Sequence, residues 1–405
     1  MPAPADWPNY RGPNHDGIST EKLTATAFPA SGPRQVWKTP SPGGFSSFSV
    51  AGKRAYTFVR RDVDGAPSEV VVALDTKTGK ELWAHSMAAA MYGNDGGNAG
   101  TPDNKGGDGP RSTPTVDGDH VFALDANLRL VCLEAASGKP VWQRDIIAEH
   151  AGRNVNWKNA ASPVIDGDLI FVAGGGEGQA LLAIHKRTGK TVWKGQDDKM
   201  THATPVVATI HGQRQVIFLT QTGLVALATQ TGNQLWRQKF DYKISTAASP
   251  IVAGDIVYCS AGYGVGAGAF RVSKNGDTFS SAEIWRKPGK LENHWSTPVY
   301  LDGHLYGIFG FKEYGKAPLK CIELATGAEK WAAPGFGPGN VTLVGNHLVV
   351  LGDAGQLAIV EATPTAYREK AKADVLGGKC WTTPTYTGGK VFARSTTEAV
   401  CIDLQ

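Results

Sequence analysis

The chain has 405 residues and a formal net charge of +4, with both signs scattered along it, a balance too even for a nucleic-acid or anionic-membrane surface. Its 50 glycines and 11 tryptophans, with many Thr, Val and Pro, are the composition of short strands and tight turns rather than of helices. No apolar run approaches the roughly 18 residues of a membrane-spanning helix, and the five cysteines (Cys132, Cys259, Cys321, Cys380 and Cys401) form no CxxC or CxxCH, which excludes zinc-finger, thioredoxin-like and c-type haem readings.

The opening Met1-Pro2-Ala3-Pro4-Ala5-Asp6 has neither a basic nor an apolar stretch. It is not a signal peptide, and its small residues are expected to be the remnant left once a signal is removed. Residues 1–27 are expected to pack as an extension on a domain spanning 28–405. Within that domain, Gln35-Val36-Trp37-Lys38 reads as a strand whose Trp has no repeat before it.

The first full repeat is Ala73-Leu74-Asp75-Thr76-Lys77-Thr78-Gly79-Lys80-Glu81-Leu82-Trp83. The pattern returns at Cys132 to Trp142, Ala183 to Trp193, Ala226 to Trp236 and Cys321 to Trp331. Each copy has Gly four residues before Trp and a small residue ten before it. A copy with an insertion at Asn275-Gly276 runs from Ala269 to Trp285. Another begins at Ala358 and reaches Tyr367, which is read in the place of Trp. The last, from Cys401, stops at Gln405 before its Trp. Ahead of each copy lies a Ser/Thr-Pro or equivalent strand and a hairpin signal such as Asp117-Gly118 or Asp166-Gly167. The one helical candidate is the short segment Tyr367 to Asp374.

Each unit therefore reads as four antiparallel strands, the last ending in Trp. Such a sheet cannot bury both faces alone, and radial stacking with ring closure solves this. The expected fold is an all-β propeller of eight blades, seven if the unit near 340–367 is not a blade. Residues 28–39 complete the last blade with 380–405. Trp37, Trp83, Trp142, Trp193, Trp236, Trp285 and Trp331 are expected between blades, each burying roughly 150–250 Å². The turn Gly takes positive φ. The column Ala73, Cys132, Ala183, Ala226, Ala269, Cys321, Ala358, Cys401 stays small because the sheets touch there, which makes three of the cysteines packing residues.

The run at 73–83 resembles the repeat of pyrroloquinoline-quinone (PQQ) dehydrogenase propellers. It is equally similar to that of the propeller lipoprotein of the bacterial β-barrel assembly machinery, which carries no quinone. Trp7-Pro8-Asn9-Tyr10-Arg11-Gly12-Pro13-Asn14-His15-Asp16-Gly17 and Gly109-Pro110-Arg111-Ser112-Thr113-Pro114-Thr115-Val116 carry the likeness further. The resemblance covers residues 7–405. It implies a bacterial periplasmic or secreted location. The quinoprotein side of it implies PQQ, Ca²⁺, a vicinal Cys–Cys ring, a stacking Trp and an Asp base; this chain has no Cys-Cys pair.

Function in propellers sits on the loops at the channel ends. The segments entering the first strands carry Arg111, Trp157, Lys158, Asn159, His202, His294, Trp295, Lys379 and Trp381, a set suited to an anionic or sugar-like ligand. The alternative is that the Trp rings plug the channel and the polar groups bond loop backbone. The loop from Met87 to Pro110 offers Asp95, Asp103 and Asp108 as calcium candidates, without EF-hand spacing. The expected function is a monomeric, non-catalytic scaffold of the cell envelope binding a small molecule or an envelope protein. The alternative is a PQQ-dependent oxidoreductase of alcohols or aldoses.

Overall fold

The computed structural model describes residues 6–90 and 109–405. Eight sheets succeed one another along the chain, each built around four antiparallel strands, which are consecutive in sequence in all but the last. They cover 49–89, 115–145, 164–195, 206–239, 251–287, 299–333, 340–374 and 385–403, and are called blades one to eight in that order. The innermost strand of blade eight (Thr385–Thr387) lies beside that of blade one (Ser49–Ala51), so the ring is closed. The N-terminal strand Arg34–Pro40 is the outer strand of blade eight: it pairs antiparallel with Glu398–Asp403, placing Trp37 opposite Cys401. The fold is an eight-bladed β-propeller, and the unit at 340–374 is a full blade.

The small column and the tryptophans are cross-strand partners. Ala73, Cys132, Ala183, Ala226, Ala269 and Cys321 pair with Trp83, Trp142, Trp193, Trp236, Trp285 and Trp331. All eight column residues are at most 1% exposed, and all five cysteines are free and buried. Blade seven departs from the expected pattern. Counted from the first hairpin and the bulge, the column place there belongs to Ile359, which faces Ala371, and not to Ala358, which faces Lys372; Tyr367 precedes the outer strand Glu369–Asp374 and packs its ring on Trp331. Tyr367 therefore does not take the Trp position. The segment read as a helical candidate is that strand, because alternating exposure at the rim overrides a weak helical pattern. The described helix is Ile146–Glu149, capped by the Asp145 carboxylate accepting from Ala148 N at 3.0 Å.

Six of the seven Trp indoles donate to a carbonyl of the next blade, while Trp236 Nε1 donates to Gln215 Oε1 of its own blade at 2.6 Å. Trp83 Nε1 donates to Ala135 O (3.1 Å), Trp142 to Lys186 O (3.0 Å) and Trp193 to Thr229 O (2.7 Å). Trp37 donates to Thr76 O at 2.9 Å across the closing joint. The turn Gly of the receiving blade lies under the ring. A Cβ on Gly79, Gly138, Gly189 or Gly232 would sit 2.5–2.8 Å from Trp37, Trp83, Trp142 or Trp193. These glycines have φ of 67–71°, so both backbone hand and space demand Gly.

The Ser/Thr-Pro landmark has its own physical role. Thr383 N donates to Ser47 Oγ, Ser47 N to Thr113 Oγ1, Thr113 N to Ser162 Oγ, and Ser162 N to Thr204 Oγ1, each at 2.8–3.0 Å. Hydroxyls thus stitch neighbouring inner strands where no sheet ladder joins them.

The N-terminal segment crosses the face formed by the first hairpin of each blade. Trp7 exchanges backbone bonds with Val50, and Pro8 O accepts from Val116 N. Ile18–Ser19 pairs parallel with Leu343 and Val344. Arg11, buried, donates to the carbonyls of Thr297, Pro298 and Asp16 at 2.8 Å each.

Candidate functional site

The strands alternate in direction, so the segments entering first strands and the loops between second and third strands share the face opposite the N-terminal segment. All nine predicted mouth residues lie on those entering segments. Their side chains fall into two groups.

Around blades two to four, the polar groups mostly bond backbone. Arg111 Nη1 donates to Trp157 O at 3.1 Å. Trp157 and Lys158 hold φ of 64° and 65°, a left-handed pair rare for side-chain-bearing residues. Trp157 packs on Ala90 and Ala126. Asn159 is buried and pins its loop by donating to Asp125 O and Ala161 O (3.2 and 3.0 Å) and accepting from Ala161 N (3.0 Å). His202 Nε2 lies 2.7 Å from Asn156 O, so it donates there and leaves Nδ1 to accept from the Ser245 hydroxyl at 2.9 Å. Burial pushes the His202 pKa down to about 4, holding the ring neutral.

Around blades six and eight, the rings form a continuous stack. Trp381 lies 4.4 Å from Trp295 and 5.1 Å from Phe45, with Tyr314 at 5.8 Å, all near-parallel. Trp295 Nε1 donates to Pro338 O (2.7 Å) and adjoins His294 (4.7 Å). His294 meets Tyr263 and Phe311 edge-on at 5.3 and 5.2 Å, and burial first, with the nearby Lys312 cation, pushes its pKa down to about 3. Cations stand over this stack: Arg111 at 5.8 Å from Phe45, Lys379 at 5.5 Å from Trp381, and Lys312 at 5.0 Å from Phe311. Phe45 thereby links the two groups.

Sequence reasoning missed Phe45, Tyr263, Phe311, Lys312 and Tyr314. Four of these belong to the loops between second and third strands, outside the entering segments that the repeat pattern marks. The signal available was the Phe311-Lys312-Glu313-Tyr314 run in a loop longer than its counterparts.

A buried acidic pair was also missed. Asp125, at 0% exposure, accepts from Asn127 N and Arg129 N, while Glu69 accepts from Ala126 N at 2.8 Å. Burial first and the Glu69 charge second push the Asp125 pKa up to about 7. The folded state then holds a proton that the unfolded carboxyl releases near pH 4, so this group's contribution to stability falls as pH rises from about 4 to 7. We expect Asp125→Asn to gain stability relative to the wild type progressively between pH 5 and 8, read from urea midpoints. A difference independent of pH would show that Asp125 does not titrate in this window. The buried histidines act oppositely: His15 and His202, each lowered to about 4, favour folding above their unfolded pKa and lose that contribution as pH falls.

Two marks of the quinoprotein set are missing from the described residues. No two cysteines adjoin. No three His, Cys, Asp or Glu side chains gather as a cation site among the described residues. Trp381 has the rings of Phe45, Trp295 and Tyr314 about it. The calcium candidates Asp95, Asp103 and Asp108 lie outside the described residues.

Fold and repeat together define a propeller of the PQQ-like repeat class. The family model described as outer membrane protein assembly factor BamB matches residues 67–333, and the chain belongs to that family. BamB of Burkholderia pseudomallei (strain K96243) is 26% identical over 192 residues, which are 47% of this chain and 44% of that protein; the match spans less than half of that relative's length. Among solved structures, BamB from Moraxella catarrhalis has a TM-score of 0.61 at 14% identity, covering 91% of this chain and 99% of that one. Quinohemoprotein alcohol dehydrogenase from Comamonas testosteroni has a TM-score of 0.65 at 14% identity, covering 99% and 80%. At such identities these two structures speak for the fold alone.

Proposed function

We propose that the chain is a non-catalytic binding scaffold of the bacterial cell envelope, periplasmic or secreted, whose ligands are envelope proteins. The observation that carries this reading is the family match over 67–333. The mouth supports it, since its rings stack on one another rather than line a slot for a flat cofactor. The nine mouth residues are proposed to serve recognition and loop positioning, not bond making. The competing oxidoreductase reading draws on the fold shared with the quinohemoprotein enzyme.

A thermal-shift measurement with PQQ plus Ca²⁺ separates the two, because a ligand bound only by the folded state raises the melting temperature. We expect no shift. A rise that saturates with PQQ, accompanied by dye-linked oxidation of an alcohol or aldose, would overturn the scaffold reading.

A further inference from the structure

Every outer strand carries a one-residue bulge directly before the Trp position. The register skips Leu82 in blade one, Val141 in blade two and Val192 in blade three. The same skip falls on Val36 in blade eight, Leu235 in blade four and Ile284 in blade five, and on Lys330 and Lys370 in blades six and seven. A bulge re-aims a side chain and interrupts an edge. Leu82, Val141 and Val192 are 47–49% exposed, which makes them three of the large hydrophobics left open to solvent among the described residues. Three consecutive blades thus present an aliphatic side chain outward at one register position.

The molecule itself shows what covers such a position. On blade four, Leu235 packs against the cluster containing Val272 and Phe279, which come from the third and fourth strands of blade five. Those strands, Gly266–Asn275 and Thr278–Lys287, are lengthened to 10 residues each. Their distal hairpin lies along the outer strand of blade four, where Ser281 Oγ donates to Arg237 O at 2.7 Å. A β-hairpin supplied by the neighbouring blade is therefore the cover used in cis. The third-to-fourth connections of blades two, three and four are short turns and supply no such hairpin to blades one, two and three. The surroundings at blades two and three are basic: Lys139, Lys190 and Lys194 are exposed within two residues of Val141 or Val192, and Lys194 Nζ meets the neutral amide oxygen of Gln179 at 2.9 Å.

We propose that the outer strands of blades one to three form a docking surface for an extended or hairpin segment of a partner protein that carries aliphatic and acidic side chains. This deepens the scaffold reading by naming the partner's chemistry and the face that receives it.

The test uses the purified chain and a short fluorescent peptide alternating Glu and Val, read by anisotropy. Binding should weaken with salt. It should fall by at least about tenfold, or about 1.4 kcal/mol, in Val192→Asp and in the Lys190→Glu, Lys194→Glu double variant. Lys370→Glu on blade seven should leave it unchanged. All substituted side chains are solvent-facing, and matched melting temperatures confirm intact folds. No binding of the Glu–Val peptide, equal binding by Val192→Asp, or equal binding of a Lys–Val peptide would overturn the proposal. So would Val192-dependent sedimentation with phosphatidylglycerol vesicles in place of peptide binding, which would assign the surface to a membrane. None of these outcomes depends on the quinone measurement, so the two readings fail separately.

Discussion

Trp193→Ala is expected to destabilise the propeller by roughly 3–5 kcal/mol, measured from urea unfolding. Three observations set this scale. The indole is 9% exposed and belongs to the core shared by blades three and four. Its Nε1 donates to Thr229 O at 2.7 Å in the next blade, so truncation strands a carbonyl as well as opening a cavity. Its ring covers Gly232, whose added Cβ would lie 2.6 Å away. That last contact allows a sharper test. Gly232→Ala should be costly with the ring present, because the methyl collides with it and φ is 71°. With Ala at 193 only the backbone term remains, about 1 kcal/mol. The two substitutions should therefore be strongly non-additive. A Trp193→Ala change below about 0.5 kcal/mol, the size seen at exposed sites, or simple additivity with Gly232→Ala, would remove the indole from its place between blades.

Ring architecture was legible because its determinants are local and repeated. The Trp, the Gly four residues earlier and the small residue ten earlier sit in one strand–turn–strand, so a fixed spacing reports a fixed geometry. The receiver of each ring was not legible: Gly138 lies under Trp83 of the preceding blade, not under its own Trp142. That relation belongs to packing between units, which spacing within a unit cannot encode. The Ser/Thr-Pro landmark was visible as punctuation, yet the bond that Thr113 Oγ1 accepts from Ser47 N spans neighbouring blades in the same way. Blade seven was misread at Tyr367 because an aromatic near the expected spacing outweighed register, and Ala371, opposite Ile359, occupies the slot. At the mouth, Arg111, Trp295, Lys379 and Trp381 were found because they precede recognisable first strands. Phe45 was missed although it also precedes one. Tyr263, Phe311 and Tyr314 come from the other loop set, and the entering segments alone make up only half of a shared face.

The closing joint carries the second large effect. Arg394 is at 0% exposure, the inner end of a strand in blade eight. Its guanidinium donates to Phe58 O and to Thr57 Oγ1 (3.2 Å) in blade one, and to Pro42 O (2.6 Å) in the connecting segment. No carboxylate takes part; a fork of donors meets carbonyl and hydroxyl oxygens, a geometry that Lys cannot reproduce. Burial lowers its pKa to about 9, so the cation is costly and is retained by those acceptors. Arg394→Ala strands the buried Phe58 carbonyl and takes a partner from the buried Thr57 hydroxyl, at about 1–3 kcal/mol each, and leaves a cavity, for an expected loss on the order of 3–5 kcal/mol. Arg394→Met fills the volume without the donors and should recover part of that loss, because the desolvated charge is gone. The location of the damage distinguishes this from general core disruption. Hydrogen exchange should quicken first in Arg34–Pro40 and Glu398–Asp403, the strands that close blade eight. Uniform acceleration around all eight blades, or a loss below about 0.5 kcal/mol, would show that the ring is held shut by the strand pairing and the Trp37 contact without this arginine.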